Sequence, residues 1–379
     1  MNACARGRGR TRAPLRLETR SILGISTRSD AQGSLARSPS QGYFFNHGLQ
    51  FLKLSEENRD LQRRALEWEK SGALLQWHGA HGCYDAGGST FTERSKCAGK
   101  DFGKGFCSFL EPGRLWVNNG LTEHLRNRTP KIEVTLGTKI SAIERNESMS
   151  TWHLRGSKFG DEASFGSFDA VVFSDAMAGR RGSPGHVIVN GAEELGAIFP
   201  VLDRVRVRPI FALMVAFEAG TVDLGFDAAA VVGSNTFQFV STERAKPNYA
   251  SDADCESFVA LSTFSSAEAL LLKHPQQRNF KFVEQTSAYL DPIQEALLAD
   301  FLDLFAESGA ERERVVYVKA QRWGGGFYAN DDASEDLCYV DAERGLALCG
   351  DYCAPSGDAQ GAILSGLSAG ERIGTAIGA

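Results

Sequence analysis

The sequence predicts a mixed α/β (α+β) fold in two parts, and three features predict it. The near-continuous apolar run Phe168-Asp169-Ala170-Val171-Val172-Phe173 reads as a strand covered on both faces. Short segments alternating apolar and polar residues recur along the chain, the pattern of half-buried antiparallel strands. One amphipathic helix, 291–307, puts Ile293, Leu297, Leu298, Phe301, Leu302 and Phe305 on one face and Asp300 and Asp303 elsewhere. That stripe predicts core packing.

Taken in order, order begins near Gly42, with a strand-like aromatic stretch from Tyr43 to Phe51. A helix over 56–71 carries apolar Leu61, Ala65, Leu66 and Trp68 among charges. Residues 78–114 are Gly-rich without clear periodicity, and read as loop with short elements. A helix over 121–128 leads into alternating strands at 132–136, 139–144 and 151–155, which make a meander. Strands follow at 205–217, 228–233, 236–241 and 258–264, then at 315–323 and 345–349 after the long helix. The last helix spans 360–374.

Composition narrows the function classes. The chain has 379 residues, 42% hydrophobic and 23% charged, which excludes wholesale disorder. A net charge of −6 disfavours sequence-independent nucleic-acid binding. No apolar stretch approaches the roughly 20 residues that cross a bilayer. Gly, at 40 residues, exceeds its usual share of about 7% and points to tight turns and close backbone approaches. Eight cysteines at irregular spacing, with no CxxC pair, read as reduced thiols of an intracellular protein. Residues 1–42 hold eight Arg against Glu18 and Asp30, the Arg/Ser-rich composition of a plastid or mitochondrial transit peptide or of a disordered tail.

The most informative segment is the C-terminal one. A buried strand ends in Gly350-Asp351, a loop follows, and a helix opens at Gly361-Ala362. Gly350 lets backbone approach a ligand, Asp351 offers a carboxylate to sugar-like hydroxyls, and helix N–H groups near Gly361 and Ala362 favour negative charge. A turn plus an N-cap explains the same residues without any ligand.

In context these pieces resemble the renalase-like group of FAD-dependent oxidoreductases, relatives of the flavin amine oxidases. Phe45-Asn46-His47-Gly48-Leu49-Gln50-Phe51 is similar to the family's F-D-H-G-A-Q-Y. Asn119-Gly120-Leu121, the strand pair from Val134 to Glu144 and Phe168-Asp169-Ala170-Val171-Val172 continue the likeness. Ala245-Lys246-Pro247 resembles S-K-P, and Glu256-Ser257-Phe258-Val259 resembles E-S-W-V. Arg322-Trp323 with Tyr328 resembles R-W-x-Y-A, and Cys349-Gly350-Asp351-Tyr352 with Gly361-Ala362 and Ser365-Gly366 resembles C-G-D-W and E-G-A-x-L-S-G. The likeness covers 43–370 patchily. It departs at Asn46 and Leu49, and the chain holds no G-x-G-x-x-G; Gly103-Lys104-Gly105 has Ser108 where the third Gly belongs.

The resemblance implies a discontinuous, Rossmann-like FAD/NAD(P)-binding domain over 43–60, 129–180 and 320–379, lacking its first βαβ unit. A substrate domain on an antiparallel sheet takes 61–128 and 181–319. It places Gly350, Asp351, Gly361 and Ala362 at the flavin, Ile140 near the adenine, and Phe45, Gln50, Trp323 and Tyr328 on the substrate side. For Trp323 and Tyr328, core packing is the competing reading. The implied reaction is hydride removal from a reduced nicotinamide, NAD(P)H-type, or amine substrate, with oxygen as acceptor. No acid–base residue follows from it. The alternatives are a non-catalytic remnant of the fold acting as a binding or scaffold protein, because the pyrophosphate loop is missing, and a nicotinamide-nucleotide binder without flavin. His47 reads as a turn histidine, and His78, His81 and Cys83 lack the fourth ligand a metal site needs. Cys349 and Cys353 flank the turn as inert buried thiols or a redox dithiol, and Lys246-Pro247 marks a loop.

Overall fold

Residues 210–217, Ile-Phe-Ala-Leu-Met-Val-Ala-Phe, are all buried because both faces of their strand are covered. Phe211, Leu213, Val215 and Phe217 face one core, while Ile210, Ala212, Met214 and Ala216 face another. The strand period of two thus divides one apolar run between two cores. The computed structural model describes residues 15–17, 35–37, 42–97, 106–128, 132–180, 187–190, 200–250, 254–275, 285–329 and 335–378.

That strand, Arg206–Glu218, is second in a seven-stranded sheet. The order is Val315–Ala329, Arg206–Glu218, Cys255–Ser262, Phe237–Thr242, Ala228–Val232, His81–Asp85 and Thr90–Glu93. Every neighbouring pair is antiparallel except Ala228–Val232 with His81–Asp85. The expected antiparallel sheet is present, with two strands from the stretch read as loop. His81–Asp85 is buried over its first four residues, so it shows no alternation to read.

The long helix is Ser287–Leu304 and buries Leu290, Ile293, Leu297, Leu298 and Phe301 against one face of this sheet. It starts four residues before the expected 291, so that Pro292 lies inside the helix and lacks the N–H that would have bonded the Ala288 carbonyl. The helix Arg59–Lys70 is capped by Asn58, whose side chain accepts from the Leu61 N–H, and it buries Leu61, Ala65 and Trp68. Leu66 points outward instead.

The meander is shifted from the expected one. Its strands are Thr138–Asn146, Thr151–Lys158 and Asp161–Phe168. Ile132–Val134 leaves it to pair in parallel with Leu15–Leu17. Leu35–Arg37 pairs with Phe44–Asn46. The run expected as one strand at 168–173 is split: Phe168 ends the meander, and Val171–Phe173 pairs in parallel with Leu346–Leu348. Tyr339–Asp341 completes that small sheet, and helix Ala359–Ala376 covers it through Ala369 and Ile373. Among the described residues no helix is long and apolar enough to cross a membrane.

Candidate functional site

Four stretches far apart in sequence converge on one cleft of about 160 Å³. The loop after Phe44–Asn46 supplies Gly48, Leu49, Gln50 and Phe51, and the end of strand Val315–Ala329 supplies Trp323, Phe327 and Tyr328. The C-terminal turn supplies Asp351, Asp358 and Ala362, while Phe106 and Lys53 also line the cleft. At about 10–15 Å³ per water on this measure, the cleft has room for on the order of ten waters.

Of the residues expected from the sequence, Gln50, Trp323, Tyr328, Asp351 and Ala362 line this cleft together. Gly350 and Gly361 stand directly behind it. Gly350 has φ +140° and donates its N–H to Ser365 Oγ at 2.9 Å; a Cβ there would sit 2.8 Å from the Tyr352 ring and 3.0 Å from Ser174 O. The turn therefore requires glycine. A Cβ on Gly361 would lie 2.5 Å from that of Ala354, so this glycine serves close packing of helix on turn. Phe45 is fully buried and stacks on Tyr317 at 5.4 Å, outside the cleft lining. Ile140 lies on the meander, packed against the core that contains Trp152, and does not line the cleft either.

The helix N-terminus differs from expectation in a way that bears on chemistry. Asp358 caps it: its Oδ1 accepts from the Gly361 N–H at 2.7 Å, and its carbonyl accepts from the Ala362 N–H at 2.9 Å. The two amides expected to face negative charge are thus already engaged, one by a carboxylate. Asp358 was readable as Ser-x-Asp ahead of a helix.

Asp351 is the cleft's chemically distinctive group. Its carboxyl accepts from the Tyr352 N–H at 3.0 Å, yet burial, with Asp175 nearby, pushes its pKa up to about 7. Among the described residues no cation pairs with it. Burial also raises the Tyr328 phenol well above its ordinary value, with Asp175 and Asp351 adding to the effect, so it stays protonated. Its ring meets Tyr352 edge-on at 6.0 Å.

The opposite wall is saturated. Gln50 Oε1 accepts from Ser241 Oγ at 3.0 Å and Lys246 Nζ at 2.9 Å, while its Nε2 donates to Asn46 O at 2.5 Å. Lys246 pairs with Glu243 at 2.5 Å, both side chains fully buried, and Glu243 Oε2 accepts the Asn46 N–H at 2.7 Å. Burial lowers the Lys246 pKa against the pull of Glu243. The stretch read as a loop marker is thus the anchor of the cleft's first wall. Trp323 donates Nε1 to His47 O at 2.9 Å, which leaves its ring as an apolar surface. Burial pushes the His47 pKa down to about 4 and holds the ring neutral.

Sequence reasoning missed Phe51, Phe106, Lys53 and Asp358 as cleft residues. Lys53 is nearly buried and pairs at 2.5 Å with Glu111, itself mostly exposed. Among the described residues no group of three metal-ligating side chains occurs. Cys349 and Cys353 are buried, and burial pushes the Cys349 thiol up to about 12, the behaviour of an inert thiol.

The residues fit FAD at one end only. The cleft offers Asp351 and aromatic side chains, groups of the kind that would hold a polyol and a ring. Among the described residues no glycine-rich strand-to-helix turn offers backbone N–H groups to a pyrophosphate; Gly324, Gly325 and Gly326 lie inside a strand, and Gly103 to Gly105 fall outside the described residues.

No family model matches this chain. No curated protein matches it either. Among solved structures it is similar to a protein described as a protoporphyrinogen oxidase from an Exiguobacterium species, at 15% identity and a TM-score of 0.43, over 70% of this chain and 53% of that one. It is also similar to cyclohexylamine oxidase from Brevibacterium oxydans, at 11% identity and a TM-score of 0.46, over 70% of this chain and 55% of that one. The chain spans about half the length of both.

Proposed function

We propose that this chain is a FAD-dependent oxidoreductase whose cleft receives a flavin ring beside a small hydride donor. One observation carries the reading: Gln50, Trp323, Tyr328, Asp351 and Ala362, assigned to flavin and substrate by family resemblance, line a single cleft. When bound, the flavin would supply the two-electron acceptor. Phe51, Phe106, Trp323 and Phe327 give that cleft apolar walls that exclude water from the reacting atoms. Asp351, with a pKa near neutrality, can hold a proton for a ligand hydroxyl or accept one from it. Gln50 and Lys246 keep the first wall in place and offer the ligand no spare polar atom. The hydride donor is a reduced nicotinamide or an amine, and oxygen is the acceptor.

The test is the visible absorption of the full-length chain before and after FAD is added and excess is removed by gel filtration. A retained flavin spectrum is expected, bleached by one of those donors and restored by air. Asp351→Ala is expected to weaken flavin binding by tenfold or more, since a charge-assisted hydrogen bond is worth roughly 1.5–3 kcal/mol. Unchanged affinity would remove Asp351 from the cofactor site.

A second reading, a binding or scaffold protein descended from such an enzyme, draws support from Asp358. Its carboxylate already occupies the helix N-terminus that the flavin reading would leave to the ligand. Colourless, monodisperse protein that never takes up FAD would decide for this reading.

A further inference from the structure

Cys83 and Cys97 are 14 positions apart in sequence, and their sulfurs stand 3.1 Å apart. Cys83 lies mid-strand in His81–Asp85, opposite Thr92 across the hairpin and beside Ala230 on the other side. Cys97 closes the single helical turn Arg94–Lys96, with its N–H bound to the Arg94 carbonyl. Its sulfur also lies 3.4 Å from Thr92 O and 3.3 Å from Glu93 O, so three contacts aim it at the hairpin. Both residues are buried in the core that holds the cleft residue Phe106.

A disulfide needs its sulfurs at about 2.05 Å, so the pair lacks only about 1 Å of approach. We propose that Cys83 and Cys97 are a covalent modification site, closing to a reversible disulfide that ties the sheet's edge hairpin to the chain nine positions before the cleft residue Phe106. The proposal is independent of the flavin reading.

A glutathione-type disulfide is the oxidant. One cysteine gives up its thiol proton and attacks a glutathione sulfur, expelling one glutathione thiolate that takes up that proton. The second cysteine loses its proton, attacks the protein sulfur of the mixed disulfide and expels the second glutathione, which is protonated in turn. Two protein thiols are oxidised, and one disulfide is reduced to two thiols. Because both sulfurs are buried, exchange proceeds during folding or through local opening of the edge hairpin.

The test uses the full-length chain in two arms, folded protein and protein refolded from denaturant, each equilibrated with excess oxidised over reduced glutathione. Alkylation and non-reducing peptide mapping then report the pairing. A cross-linked peptide joining Cys83 to Cys97 is expected, with a mass lower by two hydrogens. Dithiothreitol should reverse it, and the oxidised protein should melt several degrees above the reduced one. Cys97→Ser should abolish the mass loss. Recovery of both cysteines alkylated in both arms, or either one joined to a different cysteine, would overturn the proposal whatever the variant does.

Discussion

The two walls of the cleft treat their polar groups in opposite ways. On the Gln50 side a closed network forms: Gln50, Ser241, Glu243 and Lys246 bond one another and the Asn46 backbone, and only the buried His47 Nδ1 beside them has no partner among the described residues. On the C-terminal side Asp351 lies close enough to Asp175 to feel its charge, and burial opposes its ionisation. A saturated network holds shape, whereas a carboxyl kept near its midpoint at neutral pH can exchange a proton with whatever enters. On the proposed reading the first wall is scaffold and the second is where chemistry would take place.

Breaking the scaffold has the largest expected effect. Lys246→Met strands the Glu243 carboxylate in a fully buried site, so a loss of about 3–5 kcal/mol is expected in urea unfolding. The double variant Glu243→Gln with Lys246→Met removes both charges and should recover more than half of that loss. No recovery would show that Lys246 acts through packing on Trp77, which lies 5.5 Å away, and not through the pair.

The second wall is tested by pH. Burial pushes the Asp351 carboxyl up to about 7 in the folded chain, from an ordinary value of 3.8 that it regains on unfolding. The folded state therefore binds more protons between those values, and stability falls as pH rises from about 4 to about 7. The ceiling is about 4 kcal/mol at 1.36 kcal/mol per unit, and partial exposure to the cleft brings it lower. His47 and His81, held near 4, act in the other direction, losing stability as pH falls from about 6.5 to about 4. The two effects overlap in wild type, so the difference between wild type and Asp351→Asn isolates the carboxyl. Melting temperatures across that range should show the variant gaining on wild type as pH rises. A constant difference would mean that Asp351 is solvated like a surface acid.

How much of this was legible in the sequence follows from the same contrast. The long helix could be read because burial follows a period in the stripe from Ile293 to Phe301, and the strand at 205–217 because its buried run is continuously apolar. The hairpin at 81–93 could not, because His81, Gly82, Cys83 and Tyr84 are buried irrespective of face. Asp351, Trp323 and Tyr328 were found by motif order, which carries no distances. Glu243 and Lys246 were missed as a pair because a loop signal at Lys246-Pro247 says nothing of burial. Phe51 and Phe106 join the cleft by tertiary packing alone: Phe106 stacks on Phe239 at 4.7 Å, a contact no local pattern announces.

The smallest expected effect comes from the joint between the walls. Trp323 Nε1 donates to His47 O at 2.9 Å, and its ring stands 5.4 Å from the His47 imidazole. Trp323→Phe keeps an aromatic face towards the cleft but deletes the donor, leaving a carbonyl to find water or go without. A loss of about 0.5–1.5 kcal/mol is expected from the hydrogen bond, with little change in the apolar wall. If the flavin reading holds, ligand affinity should barely move in this variant, because the donor faces the scaffold and not the cleft. A loss of tenfold or more in affinity with stability unchanged would place the indole N–H in the site. It would then be wrong to treat the Gln50 wall, to which His47 belongs, as scaffold alone.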